Sequence, residues 1–168
     1  MAFYTELELL AKADEFVRTD NFAVVYFLSK ALMAVPSQVV DSVFSKYVFL
    51  IPYPEFSAYH IGHADLAGKD VILFPEGLLT GPEQQQIKII LRETAHCFLE
   101  HKSRFEDPTL DHGRQEKEAD ELVQKWQRER ADAESASQRK VASASHFEID
   151  TIPPPKSSAA LSAREKAG

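Results

Sequence analysis

The sequence predicts an α+β domain in which helices come first, a small and mostly antiparallel sheet follows, and two more helices come last. Apolar residues recur at helical spacing near the N-terminus and again from Pro82 to His101, and between them a β-branched and aromatic run, YVFLIPY, begins at Tyr47. The chain has 168 residues, of which 44% are hydrophobic, enough to bury one core. We assign residues 1–131 to this domain.

Three helices are predicted before the sheet. The first spans Tyr4 to Arg18, where apolar residues fall near one face. The second spans Asn21 to Ala34 and is apolar enough to pack between other elements, with Asp20 or Asn21 as its N-cap. Ser37 to Lys46 is interpreted as a third, short helix.

Three strands are expected next: the run from Tyr47, which Pro52 interrupts, then Phe56 to Ile61, then Asp70 to Phe74. A turn-like stretch, HADLAGKD, separates the last two. After residue 131 the chain is rich in Ser and Ala and contains few large apolar residues, so residues 132–168 are predicted to be a disordered tail.

The two last helices carry the polar residues of interest. Pro82 to His101, read as a helix, places Arg92, Glu93 and His96 on one stripe opposite an apolar one. A second helix is predicted from Arg114 to about Arg130. Its Glu116 and Asp120 are four residues apart, so both carboxylates are expected to point toward the first helix.

These helices resemble the metal-binding helices of gluzincin-type zinc metallopeptidases, and in particular the small ImmA/IrrE-like and minigluzincin groups. RETAH, from Arg92 to His96, resembles the H-E-x-x-H motif, and EKEAD, from Glu116 to Asp120, resembles the E-x-x-A-D motif. The resemblance covers roughly residues 45 to 127 and implies a zincin-like fold. It implies Glu93 as the catalytic base, His96 and Glu116 as zinc ligands, and Asp120 as a residue that supports them.

The sequence departs from that pattern at Arg92, where the family has its first histidine ligand. A guanidinium stays protonated and has no lone pair to offer a metal, so only two ligands remain where catalytic zinc normally has three. We expect Arg92 to pair with Glu93 and Glu116 instead. Zinc is therefore the expected cofactor only if the site is functional, and otherwise there is none.

Another histidine would have to replace the missing ligand. His101 lies five residues after His96, about 500° of helical rotation and so roughly 140° away in direction, which predicts that it points elsewhere. His60 and His63 lie at the presumed sheet edge and remain open as replacements, although ordinary polar contacts are the more common role of such residues. Equally, a stripe of Arg, Glu and His is in many proteins only a solvated helix face.

Composition limits the partners. A net charge of −7 with a pI near 5.4 argues against nucleic acid, and the chain has no run of about 18 apolar residues, which argues against a membrane. A single cysteine, Cys97, cannot form an internal disulfide, and the N-terminus is unlike a signal peptide, so we expect the cytoplasm. Cys97 itself fits core filler better than a reactive thiol.

Three functions are compatible with this pattern. The first is a catalytically impaired, metallopeptidase-like domain that binds a protein or peptide, for example by strand addition beside Asp70 to Phe74. The second is an active zinc endopeptidase that cleaves a regulatory protein and has an unrecognised third protein ligand. The third is a structural partner protein that makes no use of Glu93.

Overall fold

The computed structural model describes residues 1–19, 21–50, 68–74, 81–102, 107 and 109–145. Over these residues the fold is α+β, as predicted. The elements in chain order are α1 (Glu6–Ala11), α2 (Ala13–Phe16), β1 (Val17–Arg18), α3 (Phe22–Leu32), α4 (Ser37–Lys46), β2 (Tyr47–Leu50), β3 (Asp70–Leu73), α5 (Glu83–Phe98) and α6 (His112–Ser145).

The prediction of one helix from Tyr4 to Arg18 is wrong. Thr5 and Glu8 form a capping box that begins α1, but Lys12 leaves helical geometry with φ −101° and ψ 10° and separates α1 from α2. Val17 then adopts extended backbone and pairs with Phe49 of β2. A β-branched residue suits that extended conformation better than a helix, and the pairing partner lies far along the chain.

The next two helices are confirmed. The side chain of Asn21 accepts a hydrogen bond from the backbone N–H of Ala23 at 3.0 Å, as expected of an N-cap. Inside α3, Val24, Leu28 and Leu32 are almost fully buried, in agreement with a helix packed between other elements. α4 occupies the predicted range, Ser37–Lys46.

The sheet is parallel, so the prediction of a mostly antiparallel sheet is wrong. Its order is β1-β2-β3, with Val17 opposite Phe49 and Tyr47 opposite Asp70. Helices α3 and α4 lie between β1 and β2 in the chain, and a connection of that kind allows parallel strands where a hairpin does not. The strands predicted from Tyr47 and from Asp70 are confirmed, whereas the one predicted from Phe56 to Ile61 lies outside the described residues.

A continuous series of aromatic rings connects α2, α4 and the sheet. Phe44 lies 5.6 Å from Phe16 and 5.0 Å from Phe49, and Phe49 lies 5.0 Å from Phe74, measured between ring centroids. All four side chains are buried. Helix α5 adds its apolar stripe to the same core, and α6 contributes Ala119, Val123 and Trp126.

Helix α6 continues to Ser145, so the prediction that it ends near Arg130 is wrong, and residues 132–145 of the predicted tail are helical. Good helix formers and an ion pair of 2.6 Å between Arg130 and Glu134, four residues apart, favour that continuation. The compact unit that contains the core comprises Met1–Glu134. The tail after residue 145 lies outside the described residues. Among the residues that are described, no helix is long and apolar enough to cross a membrane.

Phe49, one of the two inner rings of the aromatic series, provides a test of this core. Phe49 is fully buried, whereas Phe22 is 71% exposed. Phe49→Ala removes both ring contacts and leaves a cavity, so we expect it to lower the free energy of unfolding by about 3–5 kcal/mol in a urea titration. Phe22→Ala, the matched control, should change it by less than about 0.5 kcal/mol. Equal effects of the two substitutions would contradict the assigned packing.

Candidate functional site

The site lies where α5 and α6 face each other. The helix predicted from Pro82 to His101 is confirmed from Glu83 to Phe98 as α5, but it ends three residues earlier than predicted. Its buried residues Ile90, Leu91 and Ala95 place the opposite stripe, which carries Arg92 and His96, toward α6.

Arg92 pairs with two carboxylates of α6. Its Nε lies 3.1 Å from Oδ1 of Asp120 and its Nη2 lies 3.4 Å from Oδ2, so the guanidinium contacts both oxygens of that carboxylate. Nη1 lies 3.1 Å from Oε2 of Glu116. The predicted pairing with Glu116 is confirmed, but no such contact joins Arg92 to Glu93 within the described residues, where Asp120 takes that place.

His96 makes two polar contacts on opposite sides of its ring. Its Nε2 lies 3.7 Å from Oε1 of Glu116, and its Nδ1 lies 2.9 Å from Nδ1 of His101. The first distance is long for a hydrogen bond, and the second is well within range. The structure therefore brings together Arg92, His96, Glu116 and Asp120, all of which the sequence had placed in one site.

The prediction that His101 points away from His96 is wrong. It assumed that the helix continues, but α5 ends at Phe98 and Glu100 adopts a left-handed backbone with φ 53°. The chain then folds back, and the backbone N–H of His101 donates to the carbonyl of His96 at 3.0 Å. A reversal of this kind is not visible in the spacing of residues along a helix.

His101 connects the site to two residues that sequence reasoning missed. Its Nε2 lies 3.2 Å from Oε2 of Glu118, and Oε1 of the same carboxylate accepts a hydrogen bond from Nε of Arg114 at 2.7 Å. The order Glu116, His96, His101, Glu118, Arg114 is therefore a continuous chain of polar contacts along the start of α6. The four-residue spacing of Arg114 and Glu118 was the one available signal.

Burial dominates the electrostatics of the site. It raises the pKa of the Glu93 carboxyl, and the nearby Glu116 carboxylate raises it further against a smaller opposing effect of Arg92. Burial also lowers the pKa of His96, which favours the neutral imidazole. The pKa of the neighbouring Cys97 rises to about 12, again mainly through burial, so its thiol stays protonated at neutral pH, as suits core filler.

The described residues show no ready-made set of ligands for a catalytic zinc ion. In the described ranges no group of three or more His, Cys, Asp or Glu side chains is placed to hold a metal. The Glu116 and Asp120 carboxylates face the Arg92 guanidinium, and Nδ1 of His96 faces His101. His60 and His63, the other replacement ligands considered, lie outside the described residues.

Comparison with known proteins adds no relative. No model of a protein family matches the chain, and neither a curated protein nor a solved structure is significantly similar to it. Any function must therefore be inferred from the residues of the site and their geometry.

The raised pKa of Glu93 predicts a pH-dependent effect of Glu93→Gln. Below the ordinary value of 4.5 the carboxyl is protonated in both folded and unfolded chains, so the substitution should change little. As the pH rises above that value, only the folded protein is destabilised by ionising a buried group. We therefore expect the variant to become more stable than the wild type as the pH increases from about 3.5 to about 7.

Urea titrations at both pH values measure this difference. The matched control is Glu121→Gln on α6, whose side chain is 65% exposed, and it should stay within about 0.5 kcal/mol of the wild type at each pH. A Glu93→Gln variant that is destabilised at neutral pH would show instead that the ionised carboxylate stabilises the fold.

Proposed function

We propose that this chain is a degenerate, zincin-like domain that has lost peptide hydrolysis and acts by binding a protein or peptide. The observation that carries the proposal is the ion pair of Arg92 with both Glu116 and Asp120. By the resemblance, Arg92 occupies the position of a zinc ligand, and Glu116 is another ligand. A cation therefore lies where the family has a nitrogen donor.

Charge explains why this substitution impairs metal binding. A guanidinium cannot give up its proton at any ordinary pH, and it repels a divalent cation. It also neutralises the carboxylates that a metal would otherwise neutralise, so zinc would have to displace an existing ion pair. Glu93 then has no metal-bound water to deprotonate, and its buried carboxyl keeps only a structural role.

The edge strand β3 offers a surface for an extended peptide. The backbone N–H of Phe74 donates to the carbonyl of Leu50 in β2 at 3.1 Å. Because hydrogen-bonding direction alternates along a strand, the N–H of Leu73 points away from β2. Within the described sheet, β3 lies at the edge and β2 is its neighbour. The side chains of Val71 and Leu73 in β3 are 39% and 63% exposed.

A peptide that adds to this edge needs backbone hydrogen bonds and no metal. Its apolar side chains at alternate positions would cover Val71 and Leu73. We place this binding in the cytoplasm because the chain has a single cysteine. We expect a protein segment as the partner, because the net charge of −7 disfavours nucleic acid and the sequence has no run of about 18 apolar residues to enter a membrane.

One observation favours the alternative, an active zinc endopeptidase that cleaves a regulatory protein. His101, which was excluded on helical geometry, lies beside His96, so a second imidazole adjoins the histidine that faces Glu116. If His101 is the unrecognised third ligand, the purified protein contains zinc, His101→Ala loses it, and Glu93→Gln abolishes proteolysis while keeping the metal.

Selection of peptides from a random displayed library on the immobilised full chain, followed by fluorescence anisotropy, tests the binding mode. Leu73→Pro removes the outward N–H without removing a bond to β2, so we expect it to weaken the selected peptides at least about tenfold. Leu73→Thr keeps the N–H and is the matched control, which should retain most of the affinity. Circular dichroism establishes that both variants are folded.

Equal affinity of the proline and threonine variants would rule out strand addition at β3. A library that yields no binding peptide would count against the peptide-binding function as a whole.

A further inference from the structure

A pocket of about 330 Å³ lies between the α1–α2 segment and α4, with Lys69 at its border. Its floor consists of four apolar side chains that are at most 5% exposed, namely Leu9, Phe16, Val40 and Phe44. The volume falls in the range of small-molecule sites, which are lined mostly by apolar residues with a few polar groups at fixed positions. None of these residues belongs to the Arg92 site.

The two lysines at the rim have different environments. Nζ of Lys12 donates to the Tyr4 hydroxyl at 3.1 Å and to Oδ1 of Asp41 at 3.0 Å, and it lies 3.5 Å from Oε2 of Glu15. These three partners match the three donors of an ammonium group. Because two of them are carboxylates, the charge of Lys12 is already compensated.

Lys69 has backbone partners instead. Its Nζ donates to the carbonyl of Glu15 at 2.6 Å and to the carbonyl of Phe44. Glu15 lies in the last turn of α2, and Phe44 lies in the last turn of α4. Within the described residues no carboxylate lies within ion-pair distance of it, and one of its three N–H groups has no partner there. Burial, with Arg18 as a smaller contribution, lowers the pKa of Lys69, and the Glu15 carboxylate, which lies beyond ion-pair distance, offsets this only in part.

We infer that this pocket binds a small monocarboxylate with an apolar body, such as a medium-chain fatty acid. The ligand's carboxylate would accept a hydrogen bond from the remaining N–H of Lys69 and compensate the positive charge of that lysine. The hydrocarbon chain would lie on the apolar floor of the pocket. Glu15 and Asp41 carry negative charge at the same rim. They disfavour a dianionic head group such as a phosphate monoester.

Isothermal titration calorimetry of the full chain with octanoate tests this inference. We expect saturable binding at one site with a Kd below about 1 mM. Methyl octanoate, which lacks the charge, and octyl phosphate, which carries about two charges, should each bind at least about tenfold more weakly. Octyl phosphate that binds as tightly as octanoate would overturn the choice of ligand.

Two variants locate the binding. Lys69→Met keeps the length of the side chain and removes the charge, and it should weaken octanoate at least about tenfold, whereas Lys88→Met, at an exposed position of α5, should have no effect. Ser45→Trp fills the rim of the pocket from the exposed side of α4 and should also weaken binding, whether or not Lys69→Met folds. Absence of saturable octanoate binding, or binding that Ser45→Trp leaves unchanged, overturns the inference.

Discussion

The contact between the guanidinium of Arg92 and the carboxylates of Glu116 and Asp120 determines what the site between α5 and α6 can do. It joins the two helices through a charge-assisted fork whose members are partly exposed, so solvent screens part of its energy. Its chemical consequence is larger than its contribution to stability. Under the proposed function, a permanent cation already neutralises Glu116, which would be a zinc ligand, and Asp120, which would support it.

The fold supplies the frame for this contact but does not by itself assign the chain to a family. A mostly antiparallel sheet after the N-terminal helices was expected, whereas the three described strands are parallel and β1 lies between α2 and α3. The likeness to gluzincins therefore depends on two short motifs, RETAH and EKEAD. In the structure the two motifs lie on helices that face each other, with Nε2 of His96 3.7 Å from Oε1 of Glu116.

Local patterns in the sequence predicted most of the helices. Apolar spacing was sufficient for α3, α4 and α5, because each buries one continuous stripe. It failed at β1, two residues long, whose conformation depends on pairing with Phe49 and not on its neighbours. Strand direction was missed for the same reason, since it depends on how the connections pass around the core.

Of the two carboxylates predicted to pair with Arg92, one was right and one was wrong, because the choice between Glu93 and Asp120 depends on how the helices pack. His101 was missed at the chain reversal around Glu100.

Competition titration of zinc into the wild type and into Arg92→His shows whether the Arg92 ion pair keeps a metal out. We expect the wild type to bind zinc weakly, and we expect the histidine, which restores a third ligand and removes the cation, to tighten binding by at least about tenfold. Tight stoichiometric zinc in the wild type, or an Arg92→His variant with unchanged affinity, would contradict this expectation.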